Sequence, residues 1–151
     1  MQITWTDSSG KPMSGRIDAR LWPIIEAIGR DKAADLFLTF GGSYIYLAQK
    51  RVQAGADLTR LLGEQDALRL CTAITEAGTL SSTYRVPLAD VFLARHLRSK
   101  GLKINQICRR LRRSDVSVRG FLKPDTVRRK RQFRRSQRFM PGTSSHDRSP
   151  V

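Results

Sequence analysis

Apolar residues in the front of the chain recur at helical spacing, stop at a glycine and begin again. Pro23 suits the first turn of a helix, Ile24, Ile25 and Ile28 give that helix one apolar face, and Gly29 can end it in a left-handed conformation. A second helix follows at once. Asp31 can cap it, and Ala33, Leu36, Phe37 and Phe40 fall at the i, i+3, i+4, i+7 spacing of a buried stripe. Gly41 and Gly42 then close it, and the strand-forming types Tyr44, Ile45, Tyr46 and Leu47 predict a short strand.

The same pattern returns 34 residues later. Ile28 maps on Leu62, Gly29 on Gly63, Ala33 on Ala67, Leu36 on Leu70, Phe37 on Cys71 and Phe40 on Ile74. Asp57 can cap the leading short helix, and Thr83 to Val86 supplies the closing strand before Pro87. Each unit is a helix pair plus a strand that cannot bury its apolar face alone, so the two must pack on each other or on a second chain.

After Pro87 the spacing changes to three short helices. Ala89, Phe92, Leu93 and Leu97 face inward on the first, which Lys100 and Gly101 end; Ile104, Ile107, Cys108 and Leu111 form the stripe of the second. Arg112 and Arg113 make a tight turn, Ser114 or Asp115 caps the third helix, Val118, Phe121 and Leu122 are its inner face, and Pro124 stops it. This is the apolar spacing of a helix-turn-helix. Arg112 stands where glycine is usual, in a conformation that costs a non-glycine residue about 1 kcal/mol.

Charge turns this fold into a functional expectation. The chain of 151 residues carries a net charge of +15. All of that surplus lies between residues 95 and 138, where 17 lysines and arginines meet only Asp115 and Asp125. A segregated basic block points to a polyanionic partner. With the third helix in a DNA major groove, Ser114, Val116, Ser117, Arg119 and Lys123 are the candidate base readers, and Arg119 can donate two bonds to guanine O6 and N7. Asp115 reads as a cap. Lys103, Arg109, Arg112 and Arg113 are placed for phosphates, joined by Arg128, Arg129 and Arg131 of the tail. The tail from 124 onward lacks a stripe wide enough for burial, so it is expected to be disordered when free and to track phosphates or enter a minor groove when bound.

The organisation expected is mainly α: an N-terminal dimerisation region (1–87) with tandem repeats, a helix-turn-helix (88–123) and a basic tail (124–151). Cys71, Cys108, His96 and His146 stand far apart, without zinc-ligand spacing, so neither metal nor cofactor is expected. No apolar run approaches the about 20 residues of a membrane span and no signal peptide is evident, which predicts a cytoplasmic protein. Scattered acids and the lack of an activated nucleophile argue against an enzyme. An RNA-binding or ribosome-associated role is the alternative, against which stands the lack of a clustered aromatic platform.

The units AIGRDKAADLFLTFGGSYIYL and LTRLLGEQDALRLCTAI, followed by HLRSKGLKINQICRRLRRSDVSVRGFL, together resemble the Mor/C family of transcription activators of Mu-like phages over about residues 20 to 123. The resemblance implies a homodimer associating through its N-terminal helices, here Ile24 to Ile28, Asp31 to Phe40 and their second copies. It further implies a linking strand, Thr83 to Val86, whose pair approaches the minor groove, and promoter activation by engaging RNA polymerase. The chain departs from the family pattern in its strand endings, Tyr46-Leu47-Ala48 and Arg85-Val86-Pro87 in place of Tyr-Ile-Pro. It also has Ala77 and Gly78 near the second Gly-Gly position, and it carries the long tail.

Overall fold

The computed structural model describes residues 1–47 and 56–128. The chain is mainly helical with two small antiparallel sheets. Its elements run β1 (Gln2–Thr6), β2 (Pro12–Arg16), a 3-10 turn (Ala19–Leu21), α1 (Trp22–Ile28), α2 (Arg30–Phe40) and β3 (Tyr44–Tyr46). They continue with α3 (Asp57–Leu62), α4 (Glu64–Glu76), β4 (Thr83–Arg85), α5 (Asp90–Ser99), α6 (Ile104–Leu111) and α7 (Asp115–Phe121).

The repeat is a structural one, and its hinge is glycine. Gly29 has φ 81° and ψ 166°, Gly63 φ 85° and ψ 161°. These are not the left-handed helical angles expected of Gly29: φ is positive but ψ is extended, a region open essentially to glycine alone. One residue therefore ends one helix and starts the next. The Gly29 N–H donates to Ile25 O at 2.8 Å while its carbonyl accepts from Ala33; the Gly63 N–H donates to Thr59 O at 2.9 Å while its carbonyl accepts from Ala67. With glycine already at the N-cap, Asp31 is not a cap but a first-turn residue of α2, and Ala56 rather than Asp57 occupies the N-cap of α3.

The two units pack on each other within one chain. α1 lies against α4 and α2 against α3, and β3 pairs antiparallel with β4 in the register Tyr44↔Arg85, Ile45↔Tyr84, Tyr46↔Thr83. Lys32 and Asp66, equivalent positions of the two copies, meet as an ion pair. The 34-residue offset ends with the helices: β4 begins 39 residues after β3, because α4 runs on to Glu76 and Ala77 to Ser82 form a longer turn. Leu36, Leu70, Ala33 and Ala67 are fully buried, in one core with Phe37, Cys71 and Ile74.

The first sixteen residues form a hairpin that the apolar spacing above does not anticipate. Ile3 and Trp5 alternate inward on β1, and the Asp7 carboxylate closes the turn by accepting from the backbone N–H groups of Ser9 and Lys11, each at 2.9 Å. β2 turns the half-buried Met13 and the buried Gly15 to the interior, and a Cβ on Gly15 would overlap the Arg95 guanidinium.

α5 belongs to both halves of the molecule. Phe92 and Leu93 enter the larger core, Phe92 edge-on to Phe37 with ring centroids 5.8 Å apart. Ala94 and Leu97 form a second cluster with Ile107 of α6 and Val118 of α7. The boundary expected between 87 and 88 thus falls just ahead of a helix shared by two clusters.

Candidate nucleic-acid interface

α6 and α7 are held by few but fully buried residues. Ile107 and Val118 have no exposed surface and Cys108 is half-buried beside them. The turn between the helices requires a left-handed residue, and Arg112 supplies it at φ 52° and ψ 42°, alone among the described non-glycine residues in having positive φ. Gln106 Oε1 accepts the Lys103 N–H at 2.9 Å at the start of α6. Ser114 caps α7, its Oγ accepting the Ser117 N–H at 3.3 Å.

The cations of this region divide by what they touch. Arg95 is 1% exposed, stacked 4.5 Å from the Trp5 ring centroid, and donates to Arg16 O at 3.3 Å, Phe121 O at 3.2 Å, Lys123 O at 3.0 Å and Asp125 Oδ1 at 2.9 Å. Arg98, one turn on, donates to Thr6 O at 2.9 Å and Asp7 O at 3.2 Å. These two arginines fasten the hairpin and the end of α7 to α5. Lys100 pairs with Asp31 at 2.8 Å, Arg113 with Asp90 at 2.9 Å and Arg119 with Asp115 at 2.8 Å. Lys103, Arg109, Arg110, Arg112 and Lys123 form no ion pair with any described residue. Four of these five, on α6 and its turn, are exposed.

The candidate base readers are spread around α7. At about 100° per residue, Val116 and Gly120 lie opposite the buried Val118, with Ser117 on one flank and Asp115 and Arg119 on the other. Val116 is 77% exposed. The Ser114 and Ser117 hydroxyls lie 3.0 Å apart and bond each other, and Lys123 lies past the end of the helix, half-buried. Among the phosphate candidates, Lys103, Arg109 and Arg112 are free and exposed, whereas Arg113 is tied to Asp90.

Arg128 lies elsewhere. It is half-buried and lines a cleft of about 590 Å³ with Arg16, Leu21, Leu88 and Phe121. Burial and the neighbouring Arg95 lower its pKa from the usual arginine value, against the pull of Asp125. The Asp125 carboxyl is itself held below the usual range: burial opposes this, but the Arg16 N–H and Arg95 outweigh it. Arg129, Arg131 and the rest of the tail lie outside the described residues.

The resemblance sets the β3–β4 strand pair near a minor groove, but the sequence did not single out the tyrosines on its exposed face. Tyr44 and Tyr46 are 64% and 82% exposed, with Arg85 paired across from Tyr44 and its guanidinium 6.0 Å from the ring centroid. The signal was the alternation of Tyr44, buried Ile45 and Tyr46, which puts both tyrosines on one side. Among the described residues no group of three or more His, Cys, Asp or Glu could hold a metal, and no helix is long and apolar enough to cross a membrane. No family model, curated protein or solved structure matches the chain, so a functional reading rests on this geometry and its charge.

Proposed function

We propose that the protein is a sequence-specific, double-stranded DNA-binding transcription regulator of the Mor/C activator type, without enzymatic activity, whose α6 and α7 act as a helix-turn-helix. The observation that carries this reading is the joint placement of a left-handed Arg112 between two short helices and a run of unpaired cations on the first helix and the turn. α7 enters the major groove with Val116, Ser117 and Arg119 toward base edges, and Lys103, Arg109, Arg110 and Arg112 grip phosphates. Homodimerisation and contact with RNA polymerase belong to the proposal. Since the two repeats already fill each other's apolar faces, a second copy would join through another surface.

Selection of bound duplexes from a random pool tests it, with structured RNA as competitor. The expected result is a defined sequence motif, a site that Arg119→Ala relaxes at one base pair, and a uniform loss on all DNA for Arg109→Ala. Equal losses on selected and random DNA for both variants would sink the assignment. One observation favours the RNA-binding alternative: Tyr44 and Tyr46 give it the exposed aromatic face that composition alone argued against. Preference for RNA over the selected duplex, abolished by Tyr46→Ala, would establish that alternative instead.

A further inference from the structure

We infer that Asp115 is a positioning residue that turns Arg119 into a reader of guanine and keeps it off the phosphates; the inference rests on the DNA-binding reading above. The two residues stand one turn apart on α7, an exposed i, i+4 pair. Arg119 Nε donates to both carboxylate oxygens, at 3.0 Å to Oδ1 and 2.8 Å to Oδ2, and neither terminal Nη bonds a described residue.

A guanidinium carries five N–H donors in one rigid plane. With Nε engaged, the four that remain are on Nη1 and Nη2, and the carboxylate fixes the orientation of the plane. The major-groove edge of guanine presents O6 and N7 side by side and takes two parallel N–H bonds. The end of the fork that Asp115 leaves free has the donors for that edge. Holding the side chain beforehand also reduces the ordering cost paid on binding.

Asp115 is not needed as a cap, because Ser114 fills that place. Its charge has a second effect. A phosphate meeting Arg119 also meets the carboxylate, whereas Arg109, Arg110 and Arg112 carry no acid beside them. The unpaired cations can therefore hold any sequence while the neutralised one discriminates.

The test uses the full chain and its variants Asp115→Ala and Asp115→Asn, each put through selection from a random duplex pool. Binding is then measured to the selected site with guanine or 7-deazaguanine, which lacks N7, at the position Arg119 reads. For the unsubstituted protein the loss of N7 is expected to weaken binding about tenfold, within the range a bidentate contact commands. Asp115→Ala is expected to tolerate 7-deazaguanine within about twofold and to bind random DNA as well or better, having lost a negative charge. Asp115→Asn keeps an acceptor for Nε and should restore much of the preference. An Asp115→Ala protein that melts lower yet keeps the full guanine preference would show a merely structural residue and overturn the inference. If the unsubstituted protein selects no sequence, the DNA-reading assignment itself fails, an outcome distinct from a preference that survives Asp115→Ala.

Discussion

Arg112 combines a strained backbone with a free charge, and one substitution separates the two. A left-handed conformation costs an L-residue about 1 kcal/mol, yet the side chain is exposed and unpaired. Arg112→Gly is predicted to leave thermal stability unchanged or raise it by up to about 1 kcal/mol, offset in part by the greater freedom of glycine in the unfolded chain. It should also make the slope of log affinity against log salt shallower by about 0.9, the value of one phosphate contact. A clear drop in Tm would show that the arginine packs, and an unchanged slope that it meets no phosphate. Gly120 poses the opposite case. A Cβ there would meet nothing within 4 Å, and glycine inside a helix costs about 1 kcal/mol relative to alanine. Nothing inside the described chain requires it. If α7 lies close against base edges as proposed, Gly120→Ala is expected to raise stability by about 1 kcal/mol while weakening the selected site tenfold or more and random DNA little. A stabler protein with unchanged specific binding would turn that face of α7 away from the groove.

Between elements, the interface of α2 with α5 makes stability depend on pH. His96 is buried on α5 and stacked on Phe92, its Nε2 3.1 Å from the Asp31 carboxylate that also binds Lys100. Burial lowers its pKa from 6.5, Asp31 pulls it back up, and Lys100 and Arg30 add to the lowering. The folded protein therefore binds fewer protons at this site than the unfolded chain, so the stability it contributes is present above pH 6.5 and is lost as pH falls through the depressed folded value. Denaturant midpoints measured from pH 7.5 to 5 should decline, and His96→Gln should flatten the decline; an identical decline in the variant would place its cause elsewhere. That interface was not legible in the sequence. The repeat was, because its glycine and the apolar positions from Ile28 to Phe40 recur 34 residues on, and so were α5 to α7, from the spacing of their apolar residues, though not the burial of Arg95 and His96 on α5. The hairpin escaped because Ile3 and Trp5 are its only alternating apolar pair and its second strand buries a glycine under an arginine from α5. The ion pairs escaped for a related reason: Asp31 and Lys100, or Asp90 and Arg113, are neighbours only after the helices pack. Read locally, Asp31 looks like a cap; in the fold it is a tie between halves.

For the whole molecule, the basic block divides into charges that hold the fold together and charges left for a partner. Of the ten lysines and arginines from 95 to 123, Arg95, Arg98, Lys100 and Arg113 bind other parts of the chain and Arg119 pairs with Asp115 along α7, leaving Lys103, Arg109, Arg110, Arg112 and Lys123 without an acid partner among the described residues. This sets a scale for the salt dependence of the proposed DNA binding, from which the number of reading heads would follow. With about 0.9 counterion released per neutralised phosphate, the four contacts of Lys103, Arg109, Arg110 and Arg112 give a slope near −3.6, about a 150-fold loss between 50 and 200 mM salt. Two heads on one site double the slope to about −7, and the loss becomes about 2 × 10⁴-fold. A chain ended at Arg128 removes the tail's contribution and lets the heads be counted. Because the repeats fill each other within one chain, the fold does not by itself require a second copy, and the proposed dimer must show independently. Sedimentation equilibrium of the protein with its selected duplex supplies the independent measurement. The dimeric reading requires two chains per duplex, a slope near −7 and half-sites about 34 to 36 Å apart. One chain per duplex with a slope near −3.6 would leave a single reading head whose duplicated front is an internal pseudo-dimer.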